Sequence, residues 1–330
     1  MTIAEQILEE IQKAKHVLLH CHPSPDPDSV GSVLAMKFAL EQLGKKVTAI
    51  RGDSEIPEAF MHFPGAGEIV SKNFFEIDLK EFDLFIILDS GSPEMISKIN
   101  TLTFPLPIKT IAIDHHASNK SFADMNLVDT SSPSVTFILS RLFTEWNVQV
   151  TPEIASNLFI GMYTDTGGFR FPPTDYRVLQ TASDLAKIVP DYHKIIFTME
   201  NSQDKESLYA QALALNSIKT FYNDNLAISA ISQKDLADKN FSADAISEGY
   251  IANILKSVVG WNVAICLVET EPNMCKMSLR TRDVGKFDVS KLAVALGGGG
   301  HKAAAGATLK LPIDLAVKKV VETAKVIYNL

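Results

Sequence analysis

A chain of 330 residues, 46% apolar and 21% charged, is long for a single core, comfortable for two domains and too ordinary in composition for wholesale disorder. Its net charge of −8 excludes a grip on long nucleic acid through the backbone, which needs a broad basic surface, but permits a short nucleotide in a small positive pocket. The three cysteines, Cys21, Cys266 and Cys275, form no CxxC pair, so neither a disulfide framework nor a zinc–thiolate site is indicated. The N-terminus shows no basic-then-apolar leader and no run of about 18 apolar residues occurs, so the expectation is a cytoplasmic protein without membrane association.

The first half alternates two periodicities. Ile3, Ile7 and Ile11 recur at helical spacing over 3–14, and His16–His20 is a short apolar strand. A polar loop follows, then a helix over Ser29–Leu43 closed by Gly44 and a strand over Val47–Ile50. Asp83–Leu88 reads as a strand buried on both faces, and Ile108–Ile113 as another. Such alternation predicts a mostly parallel sheet with helices on both sides. Helices are expected over 133–147 and 152–163, with Pro133 and Pro152 in their first turns, and over 175–189, ending near Pro190. The amphipathic stretch 191–223 reads as a helical linker. Beyond it the pattern restarts: strand Leu226–Ile231, helix Ala245–Val258, strands Asn262–Glu269 and Lys276–Arg282, helix 288–295, a glycine run and a last helix over 313–328. The expected architecture is α/β, with domains at 1–190 and 224–330 joined by 191–223.

Four acidic or histidine-bearing motifs fall where strands or helices end, the place where open α/β sheets bind ligands. They are His22-Pro-Ser-Pro-Asp26-Pro-Asp28, Asp89-Ser-Gly-Ser, Asp114-His115-His116 and Asp165-Thr-Gly-Gly. A carboxylate beside a buried apolar run is costly unless compensated, and a pair of divalent ions compensates several at once. Taken singly each motif has a plainer explanation. The first could be a polar turn with prolines, and Asp89 could cap a helix, although Ser92 ahead of Pro93 suits that better. On spacing, His22 is the expected ligand, with His20 supporting it and Cys21 turned into the core. Together, in this order, the motifs point to a hydrolytic metal site.

The run Gly297-Gly-Gly299-Gly300-His301-Lys-Ala-Ala-Ala-Gly306 is the second signal. Its glycines let successive N–H groups face one anion, and a helix starting among the small residues after His301 would add its dipole. A flexible turn is the plainer alternative. Upstream, Arg280 and Arg282 alternate on one strand face and suit phosphate oxygens, or simply solvent.

The four motifs together resemble the DHH phosphoesterase superfamily, and the glycine–histidine run resembles the signature of its DHH-associated C-terminal domain. The likeness covers nearly the whole chain and is nearest the NrnA-like subfamily, two-domain enzymes that degrade very short RNA and dephosphorylate 3′-phosphoadenosine 5′-phosphate. It implies a parallel-sheet DHH domain, a smaller α/β substrate-binding domain and an active site in the cleft between them. By the same resemblance His22, Asp26 and Asp89 hold one manganese, and Asp28, Asp89, His115 and Asp165 the second. His116 contacts the scissile phosphate, Asp114 supports the ligand histidine, and Arg280, Gly299, Gly300 and His301 hold the substrate's far phosphate or base. Family members commonly have glycine where this chain has Pro27, which stiffens the loop and removes no ligand. Phe169 or Phe171 is a core residue or a stacking platform for a base.

The expected reaction is in-line attack on phosphorus by a hydroxide held between two ions about 3.5–4 Å apart, with Mn2+ favoured over Mg2+. Its substrates would be nanoRNA, linear dinucleotides or 3′-phosphoadenosine 5′-phosphate, acted on by a monomer or homodimer. A cyclic di-AMP phosphodiesterase is the close alternative and a non-catalytic nucleotide sensor the distant one. A RecJ-like exonuclease on long strands fits poorly with an acidic chain lacking an extra OB fold. A family-two inorganic pyrophosphatase would lack the glycine–histidine run.

Overall fold

A computed structural model describes residues 1–330, which divide into two units at Ser202/Gln203. The first begins with α1 (Ile3–Lys13), whose Thr2 and Glu5 form a reciprocal capping box. Next come β1 (His16–His20), α2 (Pro27–Gln42), β2 (Lys46–Ile50), β3 (Leu84–Leu88), β4 (Lys109–Asp114) and β5 (Met125–Val128). Helices α3 (Val135–Glu145), α4 (Pro152–Asp165), α5 (Tyr176–Ile188) and α6 (Tyr192–Glu200) complete it. The strands form one parallel sheet in the order β2-β1-β3-β4-β5, so the direction in which strands are added reverses between β1 and β3. That reversal opens a crevice at the carboxyl ends of β1 and β3.

The sheet is covered on both sides, as its continuous apolar strands require. One face packs Val17, Leu19, Ile86, Leu88, Ile111 and Ile113 against α1 to α4, and the other packs Leu18, Phe85, Ile87 and Ala112 against the loops. Each such side chain contributes roughly 1.5–3 kcal/mol when fully buried. Helix α2 is buried nearly all round and packs against α4 as well as the sheet. Its first turn therefore sits in a dry environment.

The second unit runs α7 (Lys205–Asn216), β6 (Lys219–Phe221), β7 (Leu226–Ile231), α8 (Gln233–Ala237), α9 (Glu248–Ser257), β8 (Val263–Glu271) and β9 (Met274–Thr281). It closes with α10 (Val289–Ala295), β10 (Gly299–Gly300), β11 (Ala304–Leu309) and α11 (Ile313–Tyr328). The sheet order is β10-β11-β9-β8-β7-β6, with only β7 and β8 parallel. Along β8, Val263, Ile265 and Leu267 face α10 and α11, and Ala264, Cys266 and Val268 face α7, α8 and α9. No helix is long and apolar enough to cross a membrane.

Several local expectations change. Residues 191–223 are not one helical linker: Tyr192, Ile195 and Ile196 of α6 pack on the first core, Ala210 and Ala214 of α7 on the second, and β6 is an edge strand. Pro133 lies outside its helix, because Ser134 is the cap of α3, while Pro152 does open α4 behind Thr151. The small residues after His301 form strand β11 instead of a helix, so no helix dipole is available there.

Candidate metal centre

The crevice between β1 and β3 collects the motif residues. His22 follows β1 by two residues, and its N–H donates to Ser29 Oγ at 3.1 Å. Asp26 caps α2, with Oδ1 accepting from the Ser29 N–H, and Asp28 lies within the helix's first turn. Asp89 directly follows β3 and has a φ of 53°, a left-handed conformation that costs a non-glycine residue roughly 1–3 kcal/mol. The backbone is held there by the Asp89 N–H donating to the Ile113 carbonyl at 3.1 Å. His115 and His116 follow β4, and Asp165 is the last residue of α4.

These side chains converge. His22 Nε2 lies 3.5 Å from Asp26 Oδ2 and 3.6 Å from Asp89 Oδ2. His115 Nε2 lies 3.6 Å from Asp89 Oδ1 and 3.4 Å from Asp165 Oδ2. Three overlapping groups could each hold an ion: His22, Asp26 and Asp89; Asp28, His115 and Asp165; and Asp89, His115 and His116. All six expected metal residues are thus brought together, with Asp89 facing both imidazoles.

The electrostatics fit a cation. Asp89 Oδ1 is buried without a hydrogen-bond partner, and the ion pairs of Asp89, Asp26 and Asp165 are all to histidine. Burial, then the charges of Asp26, Asp28, Asp165 and Asp114, push the Asp89 carboxyl well above its ordinary range. Burial and the charges of Asp28 and Asp26 do the same to Asp165. Burial carries Asp28 up to about 6, partly offset by the hydroxyl of Thr136, and burial takes His115 down to about 4, keeping its ring neutral and able to ligate. An uncompensated buried acceptor among carboxylates and imidazoles is the donor chemistry of a divalent-ion site.

Two supporting roles differ from expectation. Asp114 does not hold the ligand His115; its Oδ1 accepts from His116 Nδ1 at 2.8 Å and its Oδ2 from the Asn119 amide at 2.7 Å. The bond to Asp114 raises the His116 pKa, so this ring is an oriented donor. His20 does not support His22: its Nε2 meets the Met95 carbonyl at 3.4 Å and its ring packs edge-on to Phe85. Burial lowers its pKa to about 3. Cys21 is buried, as expected. Asp165 is half-buried, and Phe169 packs on Tyr163 and Phe159 while Phe171 is 42% exposed. Asn119 and Thr136 were not singled out from sequence, where neither carries a motif of its own.

In the second unit Arg280 pairs in register with Ala304, beside the turn in which the His301 N–H donates to the Ala304 carbonyl at 2.8 Å. Gly299 and Gly300 form the exposed edge strand β10. Gly300 has a φ of 135°, and a Cβ there would lie 2.6 Å from Ala305 Cα, so the turn needs glycine. Arg280 is half-buried and donates to Ser278 Oγ and the Leu279 carbonyl. The four expected substrate residues thus share one end of this sheet. Arg282 does not join them: its Nη1 donates to the carbonyls of Lys256, Ser257 and Val258 and caps α9.

A covered parallel sheet with carboxylates and imidazoles at its switch point can hold divalent ions, and with the relatives below it makes the chain a hydrolase acting on phosphoester bonds. Residues 16–162 match the DHH family, N-terminal domain, and residues 223–327 match the DHHA1 domain, and the chain belongs to the DHH family. The bifunctional oligoribonuclease and PAP phosphatase NrnA of Thermus thermophilus is 28% identical over 327 residues, 98% of this chain and 93% of that protein. The Bacillus subtilis protein of the same name is 25% identical, with 92% of each covered. In three dimensions an exopolyphosphatase-related protein from Bacteroides fragilis matches with a TM-score of 0.86 and 25% identity, over 99% of this chain and 98% of that one.

Proposed function

We propose that this protein is a manganese-dependent phosphoesterase that hydrolyses short 5′-phosphorylated oligoribonucleotides and 3′-phosphoadenosine 5′-phosphate at a two-metal site. The observation that carries the reading is Asp89, buried, strained, missing a partner at Oδ1 and facing His22 on one side and His115 on the other. His22, Asp26 and Asp89 would hold one ion, and Asp28, Asp89, His115 and Asp165 the other. An oxygen-rich donor set with an imidazole at each ion suits manganese better than magnesium. When bound, such ions supply Lewis-acid charge to phosphate oxygens and make water a competent nucleophile near neutral pH.

The rest falls to the chain's own groups. Asp114 accepts the His116 Nδ1–H and favours the protonated ring, whose Nε2–H would donate to a phosphate oxygen. Burial of Asp28 and Asp89 keeps bulk water from screening the charges. Arg280, Gly299, Gly300 and His301, in the segment 224–330, would select the substrate by a remote phosphate or base, while 1–190 supplies the chemistry. Relatives named for oligoribonuclease and PAP phosphatase activity, aligned over almost the whole chain, support this choice of substrates.

The test is a panel of nanoRNA, linear dinucleotides, 3′-phosphoadenosine 5′-phosphate and cyclic di-AMP, with Mn2+ and with EDTA. Turnover of the first three with Mn2+ and none with EDTA is expected. A kcat/KM highest for cyclic di-AMP would move the protein to the cyclic dinucleotide phosphodiesterases. Binding without turnover would make it a sensor.

A further inference from the structure

Asp28 belongs to α2, is fully buried, and yet spends its hydrogen bonds on another helix. Its Oδ2 accepts from the Val135 N–H at 2.7 Å. Its Oδ1 accepts from the Thr136 N–H at 3.1 Å and from the Thr136 hydroxyl at 2.6 Å. A carboxylate offers about four lone-pair sites, two per oxygen. Oδ1 is therefore full, and Oδ2 retains one.

The hydroxyl's direction follows from the same count. An ionised carboxylate only accepts, so Thr136 Oγ1 donates to Asp28 and must accept from Ser134 Oγ, 2.9 Å away. Helix α4 closes the third side. A Cβ on Gly161 would lie 2.8 Å from Asp28 Oδ1 and 2.6 Å from Thr136 Cγ2, closer than real contacts allow. Only glycine lets α2, α3 and α4 meet at this carboxylate.

We propose that Thr136 is a positioning residue for the second metal ion: by saturating Asp28 Oδ1 it makes Asp28 a one-oxygen ligand that presents Oδ2, with Gly161 supplying the clearance. This rests on Asp28 being a metal ligand, as in the function proposed above. A helix cap with no such role would affect folding stability and leave ion binding untouched.

Mn2+ binding to the chelator-stripped full chain, followed by electron paramagnetic resonance, separates the possibilities. Wild type should take up two ions and Asp28→Asn one. Thr136→Val should keep the site of His22, Asp26 and Asp89 and weaken the other on the order of tenfold to a hundredfold, the usual range for a group that orients a metal ligand. Thr136→Ser, which restores the hydroxyl, should return to within about threefold of wild type. Gly161→Ala should reproduce the selective loss from the opposite side. If Asp28→Asn loses an ion while Thr136→Val binds both as wild type does, Thr136 merely ties the first turn of α3 to α2 and the proposal is overturned. If Asp28→Asn binds two ions unchanged, the ligand assignment fails, and the proposal with it. Should circular dichroism show metal-free Thr136→Val unfolded, Gly161→Ala decides, and unchanged second-site affinity there overturns the proposal.

Discussion

Asp114 and His116 form a fixed pair: Oδ1 of the carboxylate accepts from Nδ1 of the ring at 2.8 Å, and Asn119 holds the other oxygen. A carboxylate that only accepts forces the proton onto Nδ1, which settles the ring's tautomer and direction. Asp114→Asn should lower turnover on the order of tenfold to a hundredfold with metal content unchanged. Because Asp114 raises the His116 pKa, its loss should also move the alkaline limb of the kcat/KM profile to lower pH. An unmoved limb would separate His116 from the phosphate.

Asp89→Asn should remove nearly all activity. More than about a tenth of the wild-type rate remaining, when a catalytic metal is worth several kcal/mol, would count decisively against Asp89 as the shared ligand. The metal-free variant should nevertheless fold. The Asp89 carboxyl titrates well above its ordinary value in the native state, so its charged form costs stability at neutral pH and asparagine relieves that cost. Thermal unfolding in EDTA near neutral pH should occur no lower for the variant than for wild type.

The same sign predicts how metal and pH act together. Asp28, Asp89 and Asp165 have native pKa values raised above their unfolded ones. Each contributes stability to the metal-free protein below the ordinary carboxylate range, and loses it as pH climbs through the raised value, about 6 for Asp28. Ions bind the deprotonated groups and release these protons. The rise in Tm on adding Mn2+ should therefore grow between about pH 5 and about pH 8. Calorimetry in buffers of different ionisation enthalpy should show net proton release. A pH-independent Tm increment would mean that the ions bind elsewhere.

His301→Ala and Arg280→Ala should cripple hydrolysis of a 5′-phosphorylated dinucleotide, each lost charge-assisted contact costing on the order of 1.5–3 kcal/mol, about tenfold to a hundredfold in kcat/KM. Bis-p-nitrophenyl phosphate, which offers no remote phosphate, should be cleaved nearly as by wild type. Equal losses on both substrates would give these residues a structural or catalytic role instead.

Arg282 makes the contrast. It sits two residues beyond Arg280, but its three carbonyl contacts end α9. Arg282→Ala should cost about 1 kcal/mol of stability in denaturant unfolding, as loss of an exposed helix cap does, with kcat/KM on the dinucleotide unchanged.

The buried strands His16–His20 and Leu226–Ile231 are legible in the sequence to the residue, and so are the six candidate metal residues that the fold gathers, because both stand out locally. A strand covered on both faces must be a continuous apolar run, and a carboxylate at its end has few other reasons to be there. Weaker local signals were outvoted. Strands β5 and β6 are too short to announce themselves, and Ala304-Ala-Gly-Ala307, good helix composition, becomes strand because it pairs with Ser278, Leu279 and Arg280 of β9. Which oxygen meets which donor is settled by packing between distant elements. Asp28 finds Val135 and Thr136 more than a hundred residues away, and Asp114 passes over the adjacent His115 for His116. Such choices depend on ångström-scale distances between elements that packing alone brings together, and hydrogen bonds weaken too steeply with distance and angle for residue order to foretell them.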